Sequence, residues 1–210
     1  MGVRLKVCGI TSLTDALAAV DVGATFLGFN FYSPSPRYIE PEQARVITAQ
    51  LPSAIVPVGI FVNESEPDSV ISIMHQSGMR MAQLHGDESP EYCRAVGAGR
   101  VIKAFRAGGD FQFGQVMEYA VWAVLLDAFD PLLHGGTGRV ADWNIAAKLA
   151  GQVDLFLAGG LTPDNVVEAV QSVAPFAVDL NSGVESAPGV KDAAKLRVLA
   201  ERLELIRNDY

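Results

Sequence analysis

Cysteine is scarce in this chain, with only Cys8 and Cys93 in 210 residues. Two thiols so far apart in sequence build neither a disulfide framework nor a metal cluster, and a reducing, cytoplasmic location is expected. Positive charge is also short. Lys and Arg number 16 against 24 Asp and Glu, for a formal charge of -8. That balance excludes a broad electrostatic hold on a nucleic acid backbone or an anionic membrane surface. It still admits a small anion, because a pocket needs only local N–H groups and one or two cations. No apolar run is long enough to span a bilayer, and the segment Met1 to Cys8 lacks the apolar stretch and cleavage pattern of a secretory leader.

The chain is rich in apolar residues, at 50% hydrophobic and 19% charged, enough to bury a large core in one domain covering residues 1–210. Short apolar runs alternate with helical patterns from end to end. Strands are expected at Leu5 to Val7, Phe26 to Phe31, Ile55 to Val62, Met81 to Leu84, Val101 to Phe105, Val121 to Leu126, Leu155 to Ala158 and Ala177 to Leu180. None alternates cleanly with polar residues, as befits parallel strands covered on both faces. Helix starts are signalled by Thr11 or Ser12 before Asp15, Pro41 with Glu42, Pro67 with Asp68, Ser89 with Pro90 and Glu91, and Thr162 with Pro163 and Asp164. Eight such units predict an α/β chain folded as a compact (β/α)8 TIM barrel. An open doubly wound sheet is the alternative. It would carry a glycine-rich nucleotide turn after the first strand, where this chain has Cys8-Gly9-Ile10-Thr11. The stretch from Asp127 to Ala141 is the longest irregular connection and has the length of a functional lid.

In such a barrel the polar residues at the C-terminal strand ends converge on one mouth. Those positions hold Cys8 after the first strand, Arg37 after the second, His85 after the fourth, Asp127 after the sixth and Asp179 near the end of the eighth. A thiol and a carboxylate across one mouth can handle two protons of one substrate, as general base and general acid. The segments Ala158-Gly159-Gly160-Leu161-Thr162-Pro163 and Asp179-Leu180-Asn181-Ser182-Gly183 turn glycine-rich where the last two strands hand over to helices, which is where a barrel holds phosphate. No Ser-His-Asp order, zinc-ligand pair, Schiff-base lysine beside a cofactor signature or dinucleotide fingerprint competes for the site. The residues alone therefore support cofactor-free proton transfer on a phosphorylated small molecule.

Seven segments in order carry a more specific likeness: Lys6 to Thr11, Gly28 to Tyr32 with Ser35 to Ile39, Val58 to Asn63, Gln83 to Gly86, Leu126-Asp127, Gly135 to Gly138 with Asp142-Trp143, and the two C-terminal turns. Together they resemble the phosphoribosylanthranilate isomerases of tryptophan biosynthesis. That resemblance implies an Amadori rearrangement of N-(5-phosphoribosyl)anthranilate, without metal or cofactor. It casts Asp127 as the acid at the ribose ring oxygen and Cys8 as the base at ribose C2. Arg37 would meet the anthranilate carboxylate, Gly159, Gly160, Asn181 and Ser182 the phosphate, and His85 and Asp179 other parts of the substrate. The chain departs from many relatives at Asn181, where Ser is common, and at Arg139-Val140-Ala141, where Lys and Phe often stand. The resemblance speaks against the related histidine-pathway isomerase, whose first-strand base is an aspartate, and against indole-glycerol-phosphate synthase, whose lysine and glutamate set has no counterpart here. Association with that synthase, and a non-catalytic sugar-phosphate-binding barrel, remain open at this stage.

Overall fold

The computed structural model describes residues 2–107, 111–127 and 143–208. Eight parallel strands close into a barrel in sequence order: β1 (Arg4–Val7), β2 (Phe26–Asn30), β3 (Val56–Phe61), β4 (Met81–Leu84), β5 (Val101–Arg106), β6 (Ala123–Asp127), β7 (Leu155–Ala158) and β8 (Ala177–Leu180). Closure comes from β1 against β8, where Leu5 lies opposite Val178 and Lys6 opposite Asp179. Around it run α1 (Leu13–Asp21), α2 (Pro41–Thr48), α3 (Pro67–Ser77), α4 (Pro90–Gly97), the single turn α5 (Phe113–Val116), α6 (Trp143–Ala150), α7 (Val166–Val173) and α8 (Ala193–Asn208). Among the described residues no helix is long and apolar enough to cross a membrane.

Capping explains where several helices begin. Ser12 accepts the Asp15 N–H at 3.1 Å, and Ser89 accepts that of Tyr92 at 3.2 Å. Pro41, Pro67 and Pro90 stand at first helical positions, where the missing N–H leaves no hydrogen bond unmade. The seventh helix starts later than its Thr-Pro-Asp signal, at Val166. Asn165 is the reason: its Oδ1 accepts the Thr162 N–H and its Nδ2 donates to the Gly160 carbonyl, which closes a turn before the helix. A further element was not expected from sequence, the hairpin of β9 (Glu185–Ala187) and β10 (Val190–Lys191) between β8 and α8. The expected lid after Asp127, with Gly135 to Gly138 and Asp142, lies outside the described residues.

Side-chain alternation along each strand splits the interior into two cores. Outward residues such as Leu27, Phe29, Leu84 and Leu126 are fully buried beneath the helices, each stabilising the fold by about 1.5–3 kcal/mol over an exposed side chain. Inward residues fill the barrel itself. At its N-terminal end Phe26, Trp122, Phe156 and Phe176 pack ring against ring, with the Arg4 guanidinium 4.1 Å from the Phe176 ring centre. Val58, Ile102, Leu125 and Ala158 belong to the same inner cluster. Beyond them, toward the C-terminal end, the inward positions turn polar: Lys6, Gln83 and Asp179 are buried on their strands. The change from apolar to polar filling sets the chemistry at that mouth.

Candidate active site

Period-two alternation carries Lys6 and Cys8 to the same inward face of the first strand. Lys6 has no exposure, and its Nζ lies 2.6 Å from Asp179 Oδ2. Asp179 Oδ1 has no hydrogen-bond partner among the described residues. Burial pushes the Cys8 thiol up, and the Asp179 charge adds to the rise, while Lys6 and Lys191 pull against it. Burial works to discharge Lys6 as well, yet Asp179 and then Cys8 outweigh it and keep the ammonium protonated above its ordinary range. The first turn of the mouth is thus a buried cluster of thiol, ammonium and carboxylate.

Asp127 ends β6, with Arg106 of β5 as its register neighbour. His85 follows β4, and its Nδ1 lies 3.0 Å from the side-chain amide of Gln83. Burial pushes His85 down, against the opposing pull of Asp127, and the imidazole is neutral at pH 7. Lys103 fixes the loop behind it: its Nζ donates to the Gly86 carbonyl at 2.6 Å and to Glu88 Oε2 at 2.8 Å, while Glu88 accepts the Asn63 N–H at 2.9 Å.

Arg37 lies in a loop held by Asn30. Asn30 Oδ1 accepts the Tyr32 N–H, its Nδ2 donates to Ser35 Oγ, and Ser35 Oγ in turn accepts the Arg37 N–H. The Arg37 guanidinium meets Glu185 along one edge, Nε to Oε1 at 2.9 Å and Nη2 to Oε2 at 2.6 Å. Lys191 reaches the same carboxylate at 2.7 Å and Asn181 Oδ1 at 3.2 Å. Burial alone would raise the Glu185 carboxyl, but Arg37 and Lys191 hold it down at about 2. One edge of the guanidinium fork is therefore committed within the protein, and only the other can meet a ligand.

The two C-terminal turns lie against each other. Gly159 and Gly160 adopt positive φ, 94° and 65°, and a Cβ at Gly183 would collide with the Leu161 carbonyl oxygen. Only glycine allows that approach at 183. Glycines at these turns let the backbone come close to an anion.

All the residues singled out from sequence thus lie at the C-terminal ends of the strands or in the loops that follow, on β1, β2, β4, β6, β7 and β8. Sequence reasoning missed four others: Lys6 as a buried inward residue, Gln83 behind His85, and Glu185 with Lys191 behind Arg37. Lys6 and Gln83 carry a signal that period-two counting back from Cys8 and His85 would have found. Glu185 and Lys191 carry none, because their approach to Arg37 depends on the unexpected hairpin.

Residues 5–202 match the family model described as N-(5'phosphoribosyl)anthranilate (PRA) isomerase. The N-(5'-phosphoribosyl)anthranilate isomerase of Geobacter sulfurreducens is 52% identical over 200 residues, 95% of this chain and 98% of that protein. The crystal structure of phosphoribosyl anthranilate isomerase from Thermus thermophilus superposes with a TM-score of 0.86 at 43% identity, covering 97% of this chain and 100% of the other. A phosphoribosyl anthranilate isomerase in complex with reduced 1-(o-carboxyphenylamino)-1-deoxyribulose 5-phosphate superposes at 0.84 with 38% identity, over 96% of this chain and 98% of that one.

Proposed function

The chain belongs to the N-(5'-phosphoribosyl)anthranilate isomerase family, and from that premise we propose which of its residues carry the reaction. The enzyme performs the Amadori rearrangement of tryptophan biosynthesis, converting N-(5'-phosphoribosyl)anthranilate into 1-(2-carboxyphenylamino)-1-deoxyribulose 5-phosphate. Asp127 gives its proton to the ribose ring oxygen, the C1–O bond breaks, and the anthranilate nitrogen supplies the electron pair that forms an iminium ion. The Cys8 thiolate then takes the proton from C2. Those C–H electrons become the C1–C2 double bond of an enolamine, which relaxes to the ketone. The two groups stand on β1 and β6, separated around the barrel, so each can address a different atom of one sugar.

Arg37 receives the anthranilate carboxylate on the guanidinium edge that Glu185 leaves uncovered. The phosphate rests on N–H groups of the turns after β7 and β8, where Gly159, Gly160, Asn181 and Ser182 lie and where no Lys or Arg stands. His85, at the mouth after β4, bonds a substrate oxygen, and Asp179, near the end of β8, meets another part of the substrate. Residues 1–210 act as one catalytic barrel domain, without metal or cofactor.

The observation that carries these assignments is the convergence of the thiol, the carboxylate and the two glycine-bearing turns on one end of the barrel. The test is turnover with substrate generated in situ, followed as loss of anthranilate-type fluorescence. Rapid loss with the wild-type chain and none above background with Cys8→Ala or Asp127→Asn is the expected result. A folded Cys8→Ala that turns over normally would remove the thiol from the mechanism.

A further inference from the structure

A base must be ionised before it can accept a proton, and the setting of Cys8 disfavours ionisation. The thiol is buried, and burial alone pushes its titration upward. A compensating cation is needed close by. Lys6 is the candidate on the same strand, two residues earlier on the inward face and fully buried. Burying an ammonium costs several kcal/mol of desolvation that a valine or leucine in the same place would avoid. Its placement below a thiol at the mouth calls for more than a filling role.

We propose that Lys6 and Asp179 are positioning residues for Cys8: the Lys6 ammonium offsets part of the cost of ionising the buried sulfur, and Asp179 holds the ammonium in place. This inference rests on the reading of Cys8 as the base. Asp179 reaches Lys6 with Oδ2 at 2.6 Å, directly across the β1–β8 register. The other cations around the thiol are held by a different carboxylate. Lys191 from β10 and Arg37 from the loop after β2 both face Cys8, and both are tied to Glu185. Asp127 on β6 faces Asp179, and His85 after β4 is neutral. Lys6 is thus the cation whose removal most directly exposes the thiol to the cost of burial, whereas Asp179, a nearby negative charge, disfavours the thiolate even as it anchors Lys6.

The two charges therefore act on the thiol with opposite sign. The experiment measures the pH dependence of Cys8 alkylation by iodoacetamide in a Cys93→Ala background, without substrate, together with the pH profile of kcat/KM. Lys6→Met should move the alkylation midpoint up by about one pH unit or more, and Asp179→Asn should move it down. The basic limb of kcat/KM should follow. Should Lys6→Met fail to fold, the double variant Lys6→Met/Asp179→Asn keeps the shape without either charge, and its midpoint should lie above wild type because the Lys6 effect is the larger. An unmoved midpoint in Lys6→Met, or a midpoint at or below wild type in the double variant, would overturn the proposal. Normal turnover by Cys8→Ala would instead reject the base assignment itself, so the two failures are told apart.

Discussion

Glu185 clasps Arg37 by its Nε and Nη2 edge at 2.9 and 2.6 Å, and so fixes the direction in which the remaining edge of the guanidinium faces. Rotation of the fork would break two charge-assisted bonds at once. Arg37→Ala should raise KM by the equivalent of about 1.5–3 kcal/mol with little change in kcat, if the carboxylate is bound alike in ground and transition states. Glu185→Gln, which keeps the shape but loses the charge, should cost about 1 kcal/mol in the same sense. The check is steady-state kinetics on the natural substrate and on an analogue lacking the carboxylate. Equal penalties on both compounds would mean that Arg37 binds another part of the substrate.

The same pair sets a stability expectation in acid. Glu185 titrates near 2 in the folded chain, below its ordinary 4.5, because Arg37 and Lys191 overcome the effect of burial. A depressed carboxyl contributes stability that is fully present above the unfolded value and is lost as pH falls through the folded one. Thermal melts should therefore show wild type losing stability between about pH 4.5 and 2 more steeply than Glu185→Gln. Parallel pH dependences of Tm would show that the ion pair does not couple to folding.

Cys8→Ala and Asp127→Asn should each lower kcat at least ~10²-fold while preserving the circular dichroism spectrum, since a positioned acid or base contributes 10²–10⁴. KM should move less, because neither group is assigned to substrate affinity. Chelator should leave wild-type turnover unchanged, as both proton transfers use protein side chains. Activity lost in chelator and restored by a divalent ion would require a different chemistry.

How far the sequence could be read depended on the range of the signal. Strands such as Met81–Leu84, Leu155–Ala158 and Ala177–Leu180 were legible to the residue, because an apolar run bounded by Gly, Pro or a cap is a local pattern. Cys8, His85 and Asp127 were legible as mouth residues because a barrel places strand ends there whatever their sequence. The partners of those residues were harder. Lys6 looks like an ordinary exposed lysine near a terminus until β1 is paired with β8 across 173 residues. Glu185 meets Arg37 across 148 residues, through a hairpin whose short strands carry no strong strand signal. Local patterns were thus readable, and the long-range ion pairs around the mouth were not.

The turns after β7 and β8 yield the last prediction, that bulk governs phosphate binding more than charge does. Their glycine at 183 lies directly against the Leu161 carbonyl, and a methyl group there must displace backbone rather than a pliant side chain. Gly183→Ala should therefore separate the two turns, raise KM several-fold, and weaken competitive inhibition by inorganic phosphate in parallel. Asn181→Ser is the informative contrast. It removes the 3.2 Å contact from Lys191 but keeps the backbone N–H, so KM and phosphate inhibition should change by no more than about twofold, as expected for a single hydrogen bond that contributes at the low end of the usual range. If Asn181→Ser instead matched Gly183→Ala in both measures, the anion would be held by the Asn181 side chain and its Lys191 neighbour, and the N–H cradle would not be what binds it.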